Sequence, residues 1–403
     1  MEAYAAKIRS QVLEEMDLSR DMDDAEVLKL IDDRICQGST RLPLNERSKV
    51  RREIFFSLRK LDVLQDLIDD GDVTEIMVNG YRDIFYEKKG RLYRYDKSFS
   101  DVEKLEDVIQ MIAAASNKLV NESDPIVDTR LSDGSRVNIV LSPVSIDGSA
   151  VTIRKFPKHP ITMDDLIGFG SLSKEVADFL RVAVISGYNI FVSGGTGSGK
   201  TTFLNALSEY ISTTERIITI EDSAELQLNR QPNLVRLETR TAVGDSTSQI
   251  TIRDLIRAAL RMRPNRIIVG ECRGEEALDM LQAMNTGHDG SLSTGHANSC
   301  RDMLARLETM VLMGSHDLPV SAIRSQIASG IDILVHLGRL RDRTRKVLDV
   351  AELNGISDGE IVLNDLYHFR EEKEYEGKIY GAWEKCSDLI HTEKLISAGL
   401  QKL

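Results

Sequence analysis

A glycine-rich stretch that ends in lysine and threonine lies near the middle of this 403-residue chain. The predicted cofactor-binding residues are Gly194, Gly195, Thr196, Gly197, Ser198, Gly199, Lys200, Thr201 and Thr202. Glycines let the backbone adopt positive φ and bring N–H groups against phosphate oxygens, and a following helix directs its positive dipole end at the same anion. The stretch therefore predicts a nucleotide site, with Lys200 on the phosphates and the Thr201 hydroxyl on Mg²⁺.

Carboxylates follow two other apolar runs. Residues 217–220 are followed by Glu221, and residues 267–270 by Glu271. In a doubly wound sheet, ligands collect at the carboxyl ends of the strands, where the glycine-rich stretch is also expected. Metal-dependent phosphoryl transfer needs groups that hold the Mg²⁺ shell and orient the attacking water. We therefore predict Glu221 and Glu271 as catalytic residues and, with Thr201, as metal ligands; carboxylates that only cap helices are the alternative.

Two histidines stand in the same local frame, because His288 and His296 each follow a Thr-Gly pair. A predicted strand over residues 291–294 separates them. Their spacing does not place both on one turn of a helix, which argues against a zinc pair. We predict both as catalytic residues, as neutral imidazoles that sense the terminal phosphate or pass strain to an interface; a histidine buried in the core is the alternative.

These groups need a sheet to position them, and the sequence predicts one. Four apolar runs alternate with amphipathic helical stretches, a pattern typical of a parallel sheet with crossover helices. The predicted strands are 190–192, 217–220, 267–269 and 333–335. Residues 203–211 have apolar positions at helical spacing, so the glycine-rich stretch lies where a strand turns into a helix.

The chain divides into regions of different pattern. Residues 1–60 have helical periodicity, and residues 61–156 alternate short strands with Gly and Asp-Gly turns around one helix at 102–119, which predicts an α+β domain. Residues 157–170 carry prolines and glycines and are predicted to be a linker. The region 171–403 holds the nucleotide site. After residue 345 we expect strands at 347–353 and 359–366 and a last helix near 387–400.

Composition narrows the range of functions. The net charge of −12 argues against a surface for duplex DNA, so no nucleic-acid partner is expected. No apolar run is long enough to cross a bilayer, and the first residues lack the pattern of a signal peptide, so we expect a cytoplasmic protein. The cysteines stand singly, which suggests neither a disulfide framework nor a zinc site.

Four motifs in order resemble those of one family. They are the phosphate-binding stretch 194–201, the acidic segment 220–226, the segment 261–274 and the histidine segment 286–296. In this order they resemble the four boxes of the type II/type IV secretion and pilus ATPase superfamily (GspE/PulE-like), over about residues 62–352. The segments 322–332 and 339–342 resemble the CpaF branch, which assembles Tad pili.

The resemblance implies an α/β fold: a RecA-like P-loop domain with a mostly parallel sheet and helices on both faces, preceded by a smaller α+β, PAS-like domain and a helical region. It implies a homo-hexameric ring that hydrolyses ATP with Mg²⁺ and acts on an inner-membrane pilus or secretion platform protein. Membrane association would be peripheral, at the inner face of the cell membrane and through that partner.

The resemblance also implies catalytic arginines. Arg136 and Arg154 match positions of the N-terminal domain, and Arg263 matches one that reaches across a subunit boundary. An arginine fork neutralises charge on a phosphoryl group in transfer. Two alternatives stay open: a DNA-transfer ATPase of a conjugation apparatus, and a ring scaffold that binds nucleotide without catalysis.

Overall fold

The computed structural model describes residues 2–16, 20, 22–37, 42–156, 160–240, 248–315 and 317–400. The chain forms two compact units, Met1–Lys158 and His159–Leu403. The first three residues of the predicted linker, 157–159, lie outside the described residues. Within the described ranges, no helix is long and apolar enough to cross a membrane.

The first unit begins with three helices that share a small core. They are α1 (Glu2–Glu15), α2 (Asp24–Gln37) and α3 (Leu44–Arg59). Val12, Val27, Ile31 and Val50 are fully buried between them, which places the apolar stripe of each helix against the other two. A short 3₁₀ turn at Asp62–Leu64 and helix α4 (Gln65–Asp69) follow.

An antiparallel sheet forms the rest of the first unit. Its strands are β1 (Val73–Asn79), β2 (Asp83–Lys88), β3 (Arg91–Arg94), β4 (Ile126–Arg130), β5 (Arg136–Val140) and β6 (Ala150–Arg154), in the order β3-β2-β1-β6-β5-β4. Helix α5 (Val102–Ala115) begins at an Asp101 cap and buries Leu105, Val108 and Ile109 in the core of this unit. The predicted short strands and the helix are confirmed, although the helix ends at Ala115 rather than at residue 119.

A nine-stranded sheet forms the centre of the second unit. Its strands are β7 (Ile190–Gly194), β8 (Ile217–Glu221), β9 (Leu234–Glu238), β10 (Arg266–Cys272), β11 (Leu292–Gly295), β12 (Ile333–Arg339), β13 (Arg345–Ser357), β14 (Glu360–Tyr375) and β15 (Lys378–Lys385). They lie in the order β15-β14-β13-β12-β7-β11-β10-β8-β9. The six strands from β12 to β9 run parallel, and β13, β14 and β15 extend the sheet antiparallel.

Helices cover both faces of this sheet. They are α6 (Met163–Gly168), α7 (Lys174–Ile185), α8 (Lys200–Ser208), α9 (Ile252–Ala259), α10 (Glu276–Asn285), α11 (Cys300–Gly314) and α12 (Val320–Gly330). Side chains of β7 alternate between the two cores: Ile190 and Val192 pack with α6, α7 and α8, whereas Phe191 packs with α10 and α11. The predicted α/β sheet with helices on both faces is confirmed.

Several predicted boundaries differ from the structure. In the predicted linker, Met163 and Leu166 of α6 are buried in the core of the second unit, because a capping box at Thr162 starts a helix there. Edge strand β9 and strand β15 were not predicted. The last helix, α13, covers only Glu393–Ser397 rather than 387–400.

Candidate active site

The glycine-rich stretch joins β7 to α8 at the carboxyl end of the strand, as predicted. Strand β7 is fully buried, the loop is exposed at 195–197, and α8 begins at Lys200. Gly197 and Gly199 have φ of +73° and +95°, in the region that glycine adopts without strain. The loop therefore presents its backbone at the N-terminus of α8, where N–H groups and the helix dipole favour an anion.

Gly194 leaves no room for a side chain. A Cβ atom there would lie 2.5 Å from the Leu337 carbonyl oxygen and 2.5 Å from Ser198 Oγ. Strand β12 causes the first contact, because Leu337 pairs with Gly194 in the parallel register. Within the described part of the chain, buried Ser198 Oγ has no hydrogen-bond partner.

Lys200 lies inside the loop and is 8% exposed. Its Nζ donates hydrogen bonds to the carbonyl oxygens of Gly194 (3.0 Å) and Gly195 (3.1 Å) and lies 3.4 Å from Nδ1 of His296. Burial lowers the pKa of Lys200, and the Glu271 carboxylate acts in the opposite direction. Phosphate oxygens would give this ammonium the anionic partner that the loop carbonyls do not provide. Thr201 and Thr202 lie half-buried in the first turn of α8.

A row of polar side chains continues from Lys200 across the sheet edge. His296 Nε2 lies 2.7 Å from Glu271 Oε1, and Glu271 Oε2 accepts a hydrogen bond of 2.7 Å from Arg273. Arg273 lies 3.9 Å from Asp222. The row follows the strand order β7-β11-β10-β8, because each residue lies at or just past the carboxyl end of its strand. The sheet thus brings together residues that are far apart in the sequence.

The contacts of His296 determine its charge and tautomer. Burial lowers the pKa of His296, and the Lys200 ammonium lowers it further, whereas the Glu271 carboxylate opposes both. The neutral imidazole must turn its lone pair at Nδ1 toward the Lys200 ammonium, since an ammonium only donates. The ring hydrogen is therefore on Nε2, beside Glu271. The predicted neutral state of this histidine agrees with its surroundings.

Glu271 keeps one acceptor site open. Its side chain is 20% exposed. His296 Nε2 lies 2.7 Å from the buried Oε1 of Glu271, but the ring N–H is not aligned with that oxygen, and among the described residues no donor makes a hydrogen bond to it. A buried carboxylate oxygen without a donor is costly unless a water or a cation uses it. The described residues contain no group of three acidic, histidine or cysteine side chains that could hold a metal by themselves. Mg²⁺ usually takes one or two protein oxygens together with phosphates and waters, so Thr201 and Glu271 fit such an ion.

Glu221 lies at the same edge but is more deeply buried, at 3% exposure. Its Oε1 accepts hydrogen bonds from the backbone N–H groups of Glu225 (2.7 Å) and Leu226 (3.0 Å), and burial raises the pKa of Glu221 to about 7. A Cβ atom at Gly270 would lie 2.8 Å from Glu221 Cγ, so a glycine in β10 makes room for this carboxyl. These contacts make Glu221 the anchor of the segment after β8.

Two predicted site residues lie at the other edge of the sheet. His288 follows α10 and precedes β11, and its Nδ1 lies 3.1 Å from the Ala283 carbonyl oxygen. Arg263 precedes β10, is exposed, and has a φ of +54°. Amino ends of parallel strands face away from the edge that carries the loop. The structure therefore does not bring His288 or Arg263 to the loop of the same chain.

Arg136 and Arg154 belong to the first unit. They lie on neighbouring strands β5 and β6 and face each other in the antiparallel register. Arg136 is half-buried and Arg154 is exposed. The two arginines thus form a paired set at one point of this sheet.

Sequence reasoning did not identify Arg345 as a site residue. Its Nε donates a hydrogen bond of 2.8 Å to the carbonyl oxygen of Gly197, at the tip of the loop. Arg273, which bonds Glu271, was also not assigned. Arg273 could have been found because it lies two residues after Glu271, near the end of a predicted strand. Arg345 lies at the start of an antiparallel strand, and only the fold places that strand beside the loop.

A strand, a glycine loop, a lysine and a helix in this geometry form the phosphate-binding arrangement of P-loop proteins. Family comparison agrees. Residues 58–379 match the model of the family described as Type II/IV secretion system protein. Because the match covers most of the chain, the protein belongs to this family.

Two relatives and one solved structure illustrate the similarity. The chain is 33% identical over 332 residues to the putative conjugal transfer protein Rv3659c of Mycobacterium tuberculosis H37Rv, covering 76% of this chain and 93% of that protein. It is 42% identical over 247 residues to the uncharacterized protein MJ0781 of Methanocaldococcus jannaschii, covering 59% of this chain but only 34% of the relative. The crystal structure of the pilus retraction motor PilT with bound ADP shares the fold, with a TM-score of 0.52, 21% identity and coverage of 76% of this chain and 82% of that one.

Proposed function

We propose that this protein is a Mg²⁺-dependent ATPase that works as a homo-hexameric motor for a pilus or secretion system, in the CpaF branch that assembles Tad pili. The observation that carries the proposal is the row from Lys200 through His296 to Glu271 at the mouth of the phosphate loop. A site that only binds nucleotide needs the loop and the lysine. It does not need a carboxylate with an open oxygen next to them.

Each residue of the row has a separate task. The loop N–H groups and Lys200 bind the phosphates of ATP. They also stabilise the negative charge that develops on the phosphate oxygens when the terminal phosphoryl group is transferred. Glu271 accepts a hydrogen bond from the attacking water through Oε1 and so orients it, since an ordinary carboxylate is a weak base and acts mainly by positioning. His296 holds Glu271 in place on one side, and Arg273 does so on the other.

The bound Mg²⁺ would supply Lewis-acid stabilisation of the phosphoryl oxygens. Thr201 and Glu271 would hold it, because they are oxygen donors at the mouth of the loop. Glu221 contributes by fixing the backbone after β8 through its two hydrogen bonds to Glu225 and Leu226. His288 is left out of the catalytic group because it lies at the opposite edge of the sheet.

The remaining parts of the proposal concern the assembly. Arg136 and Arg154 of the first unit and Arg263 of a neighbouring subunit complete each site as charged forks on the phosphates. Coupling to a membrane platform protein then keeps the ring at the inner face of the cell membrane, while the protein itself stays in the cytoplasm. Changes between the two units during the ATP cycle perform the work.

A DNA-transfer ATPase is the second candidate. It is favoured by the 33% identity to a relative whose name is putative conjugal transfer protein. The net charge of −12 counts against it, because DNA binding requires clustered lysine and arginine. Turnover that rises several-fold on addition of DNA would select this candidate instead.

The test is steady-state phosphate release from ATP with Mg²⁺ by wild type and by Glu271→Gln, with oligomer size followed by light scattering. Glutamine keeps the shape and removes the charge, so we expect kcat to fall about 10²- to 10⁴-fold while ATP still binds. The matched control is Glu275→Gln, whose carboxylate pairs with Arg253 at 3.1 Å. Full turnover by Glu271→Gln would remove the catalytic role of Glu271, and no turnover by wild type under all conditions would remove the ATPase proposal and leave the scaffold.

A further inference from the structure

We propose that Arg345 is a positioning residue of the nucleotide site, which holds the tip of the phosphate loop in its binding conformation. This inference rests on the proposed function, since it concerns the same loop. Arg345 Nε donates to the Gly197 carbonyl oxygen at 2.8 Å. The stem of the side chain lies over Gly199, where an added Cβ would be 3.4 Å from Arg345 Cδ.

The sheet places Arg345 there through two registers. Leu337 of β12 pairs with Gly194 at the start of the loop, and Arg339 of β12 pairs with Arg345 of β13. The antiparallel strand β13 thus places the Arg345 side chain beside the loop that follows the parallel strand β7. Strand β13 contains no recognised motif, but it supplies a contact to the loop.

The turn before β13 and the residue after Arg345 are both fixed. Asp342 Oδ1 accepts hydrogen bonds from the N–H (2.9 Å) and the hydroxyl (2.6 Å) of Thr344, and Leu340 N–H donates to the Thr344 carbonyl oxygen (2.8 Å). Lys346, which is buried, donates to the Gly170 carbonyl oxygen at 2.8 Å. Arg345 therefore starts from a backbone that is held on both sides.

The loop tip has few other supports. Residues 195–197 are exposed, and the contacts of the described chain there include hydrogen bonds to the Gly195 carbonyl oxygen from the Ser198 N–H (3.3 Å) and from Lys200 Nζ (3.1 Å). An exposed glycine loop samples many conformations, and each of them must be given up when phosphate binds. A charge-assisted hydrogen bond to Gly197 removes part of that cost before the nucleotide arrives. Arg345 acts through the loop, so it affects ATP and ADP alike.

The test measures ADP and non-hydrolysable ATP analogue binding, with Mg²⁺, together with KM and kcat of ATP hydrolysis. For Arg345→Ala we expect Kd for both nucleotides and KM to rise about fivefold with kcat unchanged, the effect of losing one exposed hydrogen bond. Arg345→Lys keeps a donor and most of the stem, so its Kd should lie between those of wild type and the alanine variant. Arg343→Asn removes a neighbouring exposed charge at a φ of +68° that asparagine tolerates, and should bind like wild type.

The outcomes separate this inference from the proposed function. If wild type binds nucleotide and Arg345→Ala binds it equally well, Arg345 has no positioning role while the ATPase proposal stands. A fall in kcat at constant KM would also overturn the inference, because it would indicate a contact formed only in the transition state. If wild type binds neither nucleotide, the proposed function itself fails. Thermal melting without nucleotide identifies a variant that merely unfolds.

Discussion

His296 joins the loop lysine to Glu271, so its two ring nitrogens can be tested separately. Asparagine places an amide oxygen near the position of Nδ1 and so keeps an acceptor toward Lys200. Glutamine reaches farther and places an amide donor near Nε2, beside Glu271. Comparing His296→Asn with His296→Gln therefore removes one contact at a time.

The distances set the expected magnitudes. The contact of Nε2 with Glu271 Oε1 is 2.7 Å, and its loss takes this polar neighbour away from the buried oxygen, which costs about 1.5 kcal/mol or roughly tenfold in kcat. The contact of Nδ1 with Lys200 is 3.4 Å, at the long end for a hydrogen bond, so its loss should cost about twofold to threefold. We expect kcat to decrease in the order wild type, His296→Gln, His296→Asn, with nucleotide affinity nearly constant.

The pH dependence follows from the direction of the pKa shift. Burial lowers the pKa of His296 below its ordinary value of 6.5, so the ring is neutral near neutral pH. As pH falls through that lowered pKa, Nδ1 gains a hydrogen that opposes the Lys200 ammonium, and kcat should decline. Folding stability also decreases as pH falls below 6.5 toward the folded pKa, because the unfolded chain then binds more protons.

The assay is phosphate release between about pH 5.5 and pH 8.5 for wild type and both variants, with ATP binding measured at each pH. In wild type, the fall of kcat at acidic pH should include a step from the titration of His296. Both variants should lack this step, because an amide side chain does not titrate in this pH range. Equal kcat for all three proteins, or an acidic limb that both variants retain unchanged, would refute the role given to His296.

Two further predictions concern other parts of the second unit. Glu215→Ala removes the carboxylate that pairs with Arg266, and the arginine is only 4% exposed. In urea titrations the free energy of unfolding should fall by about 3 kcal/mol, because a buried charge loses its partner. Asp178→Ala, which removes an exposed ion pair with Arg181, is the control and should change the free energy of unfolding by less than about 0.5 kcal/mol. A Glu215→Ala variant as stable as wild type would contradict the buried-pair argument. His288→Asn should keep kcat within about threefold of wild type, because its ring contacts the Ala283 carbonyl at the far edge of the sheet; a loss as large as that of Glu271→Gln would return His288 to the catalytic group.

Local sequence was sufficient for the loop and the parallel strands. A glycine-rich stretch with a lysine, placed between an apolar run and a helical pattern, is typical of a phosphate-binding loop. Gly197 and Gly199 do adopt positive φ, as such a loop requires. The apolar runs that became β7, β8, β10 and β12 could be found because strands buried on both faces are apolar at most positions, with Ser193, Thr219 and His336 as buried polar exceptions.

Edge and antiparallel strands were harder to predict. Strand β9 is half-exposed, with Arg236 and Glu238 on its outer side, so its composition resembles a loop. Strand β14 runs to Tyr375 through a series of exposed charged residues. Such strands are stabilised by hydrogen bonds to strands that are distant in the sequence, and the local sequence pattern does not indicate which strands those are.

The sequence by itself determined which chemical groups are available: the loop, its lysine, the carboxylates after two strands, and two histidines in the same frame. Only the tertiary structure decided which of them meet. Strand order brings His296 between Lys200 and Glu271 and leaves His288 at the opposite edge, although both follow a Thr-Gly pair. The physical reason is that His288 precedes strand β11 and His296 follows it. Residues at the amino end and at the carboxyl end of a strand lie at opposite ends of the sheet, however similar their local sequences are.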